Sequence, residues 1–228
     1  MAEENKEYYT DDGRKIIRFI RVKGKAIPIV ENTDGTTSIG IGKEKQDDFV
    51  SSNQTPEQFN KAISEARESR PIDDKWRVDV HETADYEGCK LYKSDGGSTI
   101  AVKDGDIISV CKKIDDETTS GKELLARAVK MGGVKLDSFE GNHRFYTKCG
   151  FEPVSWTPFN EEYAPDGWKE SGCKPENVIF YKYVGIGNVK NTDVSKFMAE
   201  TKPFTGDSGY DDAYAYRDSQ INNRRAKK

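Results

Sequence analysis

The stretch Lys113-Ile114-Asp115-Asp116-Glu117-Thr118-Thr119-Ser120-Gly121-Lys122-Glu123 separates two patterns of different period. Before it, Asp106 to Lys112 carries Ile107, Ile108 and Val110, a short apolar run that predicts a strand buried on both faces. After it, Leu124, Leu125, Ala128 and Val129 fall on one helical face, and Met131-Gly132-Gly133 ends the helix. A small-residue turn at a helix start leaves backbone N–H groups unpaired and pointing outward. Together with the helix dipole they can hold a phosphate or pyrophosphate. Thr119 and Ser120 add hydroxyl donors and Lys122 a mobile positive charge. The turn is not a P-loop, because Gly121-Lys122 is followed by glutamate. On spacing alone, Ser120 reads more readily as a plain N-cap.

On the N-terminal side, Asp-Gly and Gly-Gly turns divide the chain into a meander. Strands are expected over Cys89 to Tyr92, Ser98 to Lys103 and Asp106 to Lys112. Trp76 to Val80 alternates with period two and predicts a further half-buried strand. Thr55, Pro56 and Gln58 form a helix start with a capping box; Phe59, Ala62, Ile63 and Ala66 give its apolar stripe, which ends near Ser69. On the C-terminal side, a strand at Val134 to Phe139, a short helix at Asn142 to Cys149, and extended segments at Phe151 to Phe159 and Val178 to Tyr183 are expected. The sum is an α/β (α+β) chain: a mixed, mostly antiparallel twisted sheet flanked by helices.

The ends read differently. Ile16 to Val22 and Ala26 to Val30, around Lys23-Gly24-Lys25, predict a hairpin with basic arms (Arg14, Lys15, Arg18, Arg21, Lys23, Lys25). It reads either as a polyanion-binding ribbon or as an edge hairpin protected by positive charge, and the second is preferred. The first ten residues read as loose, and residues 31–54 as a linker. Residues 186–228 are polar and predict a largely disordered tail. The expected organisation is an arm at 1–54, a domain at 55–185 and a tail at 186–228.

Composition narrows the function classes. Apolar residues make up 34% and charged residues 33% of 228, so a compact centre with poorly packed ends is expected. A net charge of -4 from 36 basic and 40 acidic residues does not point to a nucleic-acid partner. No apolar run reaches 18 residues and the N-terminus lacks an apolar signal region, so neither a membrane partner nor secretion is expected. Cys89, Cys111, Cys149 and Cys173 form no CxxC pair, and His81 and His143 are the two histidines, so no metal site is expected and free thiols in a reducing cytosol are.

Strand, small-residue turn, helix, strand and short helix, followed by Phe145-Tyr146-Thr147-Lys148-Cys149-Gly150-Phe151-Glu152-Pro153-Val154, resembles the core of the GNAT N-acyltransferases. That family's ending of Leu or Phe, Tyr, three variable residues and Gly-Phe matches Phe145 to Phe151 position by position. Asn160 to Trp168, and the basic stretch ending in Ile27-Pro28-Ile29, look like GNAT-like proteins that phages and prophages encode. The resemblance covers about 55–185 and is strongest over 106–154. It implies acetyl-CoA as cosubstrate, an amine acceptor (a small molecule or a protein), and action in the host cytoplasm or in association with the virion and its structural proteins. It sets the pyrophosphate on Thr118, Thr119, Ser120, Gly121 and Lys122, and the pantetheine arm and thioester carbonyl on main-chain groups of Ser109, Val110 and Cys111. If Gly121 takes the last position of the family's phosphate motif, Asp116 stands where Gln or Arg belongs and Thr119 where the first Gly belongs. Tyr146 matches the tyrosine that protonates the departing thiolate, and a phenol with an ordinary pKa of about 10 suits that task; its alternative role is core packing.

An amine nucleophile also needs a base, and Asp137, Glu82 and His81 are the candidates. Cys111 and Cys149 read as core residues rather than acyl carriers, since no paired base accompanies them. The acidic and aromatic segment 156–173 reads either as a lid favouring a cationic acceptor or as a surface loop with its own aromatic cluster. Beside the enzyme stand two other readings: a GNAT-shaped binding or virion-associated module without turnover, and, more weakly, a nucleic-acid binder using the basic hairpin.

Overall fold

The computed structural model describes residues 54–225, preceded by the backbone of short segments between residues 8 and 39. The chain divides into two compact units, Met1–Phe49 and Val50–Lys228.

In the first unit, β1 (Tyr8–Tyr9), β2 (Lys15–Val22), β3 (Lys25–Glu31) and β4 (Thr37–Ile39) form an antiparallel sheet in that order. β2 and β3 are the expected hairpin, with Val22 opposite Lys25. β1 lies in the stretch read as loose and β4 in the stretch read as linker, pairing Ile29 with Ile39. Strands of two or three residues are too short to show a period, so their partners define them. The basic side chains of the hairpin lie outside the described residues.

The second unit opens with α1 (Pro56–Glu68). Thr55 accepts from the Gln58 N–H (3.3 Å) and Gln58 Oε1 from the Thr55 N–H (2.9 Å), closing the capping box expected there. α1 ends at Ser69, and α2 (Ile72–Lys75) follows. The strand expected at Trp76 to Val80 does not form. Trp76 is fully buried, its Nε1–H bonded to the Asp73 carbonyl (3.1 Å) and its ring 4.8 Å from Phe139. The alternation records side chains packing inward from a loop, Val78 and Val80 against the α1 cluster, without a ladder partner.

β5 (Lys90–Lys93), β6 (Thr99–Lys103) and β7 (Asp106–Cys111) form the meander. Then come α3 (Gly121–Lys130), β8 (Lys135–Phe139), α4 (His143–Lys148), β9 (Phe151–Thr157), α5 (Trp168–Ser171) and β10 (Val178–Tyr183). The sheet order is β5-β6-β7-β8-β10-β9, and β7–β8 is its one parallel junction. Gly150 closes α4 at φ +93°, where a Cβ would also fall 2.7 Å from the Gly185 and Ile186 backbone, so the glycine of the Gly-Phe pair is required twice over.

The segment expected to be disordered is ordered up to residue 225: α6 (Val194–Glu200) and α7 (Gly209–Arg225) pack on the sheet. Its low apolar content hides a few well-placed groups. Phe197 and Ala213 are buried, and so is Arg217, whose charge is paired internally. On one face of the sheet, α3, α4 and α6 bury Leu124, Leu125, Tyr146 and Phe197 against Ile100, Val102, Leu136 and Tyr181. On the other, α1 covers β5 to β7 through Phe59, Ile63 and Ala66, and α7 covers β9 and β10. Burying each large aliphatic or aromatic side chain contributes about 1.5–3 kcal/mol.

Candidate functional site

The parallel pairing of β7 with β8 consists of one position, Asp106 opposite Lys135, after which the strands part. Gly105 serves both strands there, its carbonyl accepting from the Val134 and Lys135 N–H groups. Beyond Asp106, Thr99 pairs with Cys111 and Ala101 with Ile108, so Ser109 and Val110 together oppose Ile100. This is a β-bulge, and Ser109 adopts φ +53°, a left-handed conformation that costs a non-glycine residue about 1 kcal/mol. Ser109 is pinned on both sides: its Oγ lies 2.8 Å from Tyr86 Oη, and its carbonyl accepts from Thr99 Oγ1 at 3.4 Å. Ile108, Ser109 and Val110 are half-buried, as are Asp137, Ser138 and Phe139 on β8. The result is a gap in the hydrogen-bonded ladder, a crevice between β7 and β8 with main-chain groups of a bulged strand along one side.

Two side chains named from sequence meet at this crevice from opposite faces. Leu136 and Tyr181, paired across β8 and β10, lie in the α3/α4 core, so Asp137 and its partner Phe180 face α7. Burial and the nearby Asp106 carboxylate push the Asp137 carboxyl up to about 6, against the opposing pull of Arg217 and of the nearby Tyr210 hydroxyl. Tyr146 comes from the other face, packed by Phe145, Phe151 and Tyr181. Burial pushes its phenol up to about 12, opposed by the nearby Ser138 hydroxyl and augmented by the Asp137 charge. A protonated phenol and a carboxylate of raised pKa thus flank one gap. His81 contacts Asp79 (3.7 Å) and the Tyr86 ring, while Glu82 is exposed at the start of the 3-10 turn carrying Tyr86.

At the α3 start the expected phosphate cradle is divided. Ser120 Oγ accepts from the Glu123 N–H (3.3 Å) and Glu123 Oε2 from the Ser120 N–H (2.7 Å), so a capping box occupies both amides. The first intrahelical bond runs from the Leu124 N–H to Ser120, which leaves Gly121 and Lys122 with amides ahead of the ladder. A Cβ on Gly121 would lie 3.0 Å from the Phe145 ring, so α3 and α4 approach closely here. Thr118 is exposed, but its N–H and hydroxyl are both taken by a knot around Asp116. Asp116 is buried and accepts from the Ser94 and Ser98 hydroxyls, the Ser98 N–H (3.2 Å), the Thr118 N–H (2.7 Å) and the Thr118 hydroxyl (2.6 Å). Burial alone would raise its pKa, but these bonds hold the carboxyl well below the usual range. The acid standing at the Gln/Arg position is therefore turned into the meander. Thr119 is half-buried.

Asp116→Ala should destabilise the fold by roughly 3 kcal/mol, since several donors lose a charged acceptor. The Asp116 contribution is present above the unfolded pKa of about 4 and lost as pH falls below it. Urea titrations at pH 7 and pH 3 check both statements, with the variant difference shrinking at the lower pH.

Other sequence-named groups lie elsewhere. Cys111 and Cys149 are buried in the two cores, and burial raises both thiols, Cys111 to about 11, which suits packing rather than nucleophilic attack. In segment 156–173, Phe159 packs at a tilt against Trp168 (4.6 Å) and lies near Phe139 (6.4 Å), the last residue of β8; Glu161 and Glu162 are exposed. A groove of about 630 Å³ lined by His143, Arg144, Lys148 and Thr192 contains none of the crevice residues. Among the described residues no cluster of His, Cys, Asp and Glu could hold a metal, and no helix is long and apolar enough to cross a membrane.

Sequence reasoning missed Tyr86, Asp106, Tyr210, Tyr214 and Arg217. The last three stand at i, i+4 and i+7, a helical spacing visible in the sequence but diluted by polar neighbours. No family model, curated protein or solved structure matches this chain. What the crevice can do chemically follows from its own residues.

Proposed function

We propose that this chain is an acyl-CoA-dependent N-acetyltransferase of the GNAT type, moving acetyl from acetyl-CoA to an amine by direct attack. The observation that supports it most is the parting of β7 and β8 after a single pair, with a bulge at Ser109 and with Asp137 and Tyr146 on opposite sides of the gap. Main-chain groups of Ser109, Val110 and Cys111 would hold the pantetheine arm and polarise the thioester carbonyl. Asp137, largely ionised at neutral pH, takes the proton from the attacking amine as the C–N bond forms. Tyr146 gives its proton to the thiolate as the C–S bond breaks. The Gly121 and Lys122 amides, with the Lys122 charge, suit the pyrophosphate, while Asp116 is turned away. Phage or prophage origin, with action in the host cytoplasm, accompanies this reading through the same resemblance.

Calorimetric titration tests it. Acetyl-CoA is expected to bind with micromolar affinity, and Lys122→Glu, an exposed charge reversal, to weaken binding about tenfold. Absence of binding at millimolar acetyl-CoA overturns the enzyme. A second reading, a binding or virion-associated module without turnover, draws support from one feature: the Glu123 carboxylate sits on the helix start, where a phosphate would otherwise lie.

A further inference from the structure

We propose that α7 completes this crevice, with Tyr210 as a positioning residue that hydrogen-bonds the Asp137 carboxylate and holds it toward the gap. The proposal rests on the acyltransferase reading and adds to it a helix that the resemblance does not include.

Register places the residue. Phe180 lies directly across from Asp137 in the β8–β10 ladder, and the Tyr210 ring packs edge-on against Phe180 at 5.0 Å. The phenol therefore lies on the same face of the sheet as Asp137, near enough to act on that carboxylate. Tyr210 is 44% exposed, so it lines the mouth rather than the interior.

The rest of the same helix face fixes its position. Tyr214 Oη and Arg217 Nη2 each donate to Asp106 Oδ2 at 2.8 Å, and Lys135 Nζ donates to Asp218 Oδ2 at 2.7 Å. Ser155 Oγ on β9 donates to the Ala213 carbonyl at 2.8 Å. Residues 210, 214, 217 and 218 share one face of a helix, so the contacts to Asp106 and Lys135, where the crevice begins, set where Tyr210 lands. The charged groups around Asp137 are Asp106 and Lys135 from the sheet, Arg217 and Asp218 from α7, and Asp79 from the loop before the 3-10 turn. Against these neighbouring carboxylates, a neutral donor steadies the ionised form without adding a cation that would repel a protonated amine.

Tyr210→Phe keeps the ring on Phe180 and removes only the hydroxyl. In the full chain, ¹³C titration of the Asp137 carboxyl should move up by about one pH unit, equivalent to about 1.4 kcal/mol. The acid limb of kcat/KM should follow, giving a loss of about fivefold at pH 6 and almost none at pH 8. Acetyl-CoA affinity should not change, and Tyr216→Phe, an exposed tyrosine of α7, should leave the titration where it was. An unmoved Asp137 titration in Tyr210→Phe overturns the contact. A moved titration with an unmoved acid limb overturns the positioning role and leaves the acyltransferase standing. Failure of the unaltered chain to bind acetyl-CoA overturns the acyltransferase and the positioning role together, and the carboxyl titration then decides the contact alone.

Discussion

Asp137→Asn is expected to lower kcat about 10²–10⁴-fold while leaving acetyl-CoA affinity unchanged. Asparagine keeps the size and one oxygen acceptor of the side chain but cannot take a proton from the amine. In the proposed function the acetyl donor would be held by other groups, the β7 main chain and the start of α3. The pH dependence sharpens the expectation. Burial and Asp106 push the Asp137 carboxyl up to about 6. A base must be ionised to act, so kcat/KM of the unaltered chain should fall tenfold per unit as pH drops below about 6. In Asp137→Asn that limb should disappear. Steady-state rates between pH 5 and 8, with an amine acceptor found by screening, check this; a variant within twofold of the parent at pH 8 would remove Asp137 from the mechanism.

Arg217→Met is expected to cost about 3–5 kcal/mol of stability at neutral pH. Arg217 is fully buried, bonded to Asp106 Oδ2 at 2.8 Å and to Asp218 Oδ1 at 3.0 Å. Removing it strands the Asp106 carboxylate beneath α7, with only the Tyr214 hydroxyl and the more distant Lys135 amine (3.9 Å) to compensate. The cost arises mainly from that stranded charge, because desolvating an ion pair offsets much of its attraction. The double variant Arg217→Met with Asp106→Leu should therefore recover most of the loss. Urea unfolding of the four members of the cycle measures the coupling. A loss below 1 kcal/mol in the single variant would show that water reaches Asp106.

What could be read from sequence was local chemistry. The capping boxes at Thr55 and Ser120, the Asp-Gly turns of the meander and the stripe of α3 each declare themselves within a few residues, and all are present. The mixed, mostly antiparallel sheet followed from their order. Trp76 to Val80 misled because a loop packing alternate side chains inward has the same period as a strand. The stretch after Gly185 misled for the opposite reason. Its helices are held by a buried ion pair and scattered aromatics rather than by an apolar stripe, and composition counts arginine and aspartate as solvent-seeking wherever they sit. Within the candidate site, Tyr146 and Asp137 could be named, one from a motif and one as a carboxylate on the strand after α3. Their approach across β8 could not, since strand divergence is a property of two chain segments and leaves no mark in either alone. Thr118 and Asp116 show the same limit: their knot closes on Ser94 and Ser98, in a turn about twenty positions earlier.

The Arg217–Asp106 bond joins residues 111 positions apart, and that separation orders events during folding. Local pairings such as the meander close early, whereas a contact of such span must wait for the intervening chain to be arranged. Until α7 docks, Asp106 and Asp137 face water, and neither has its low-dielectric surroundings. The chemical character of Asp137 thus depends on a helix that reaches the sheet from far along the chain. Fraying of one helix is enough to return it to an ordinary surface carboxylate, with the rest of the sheet intact.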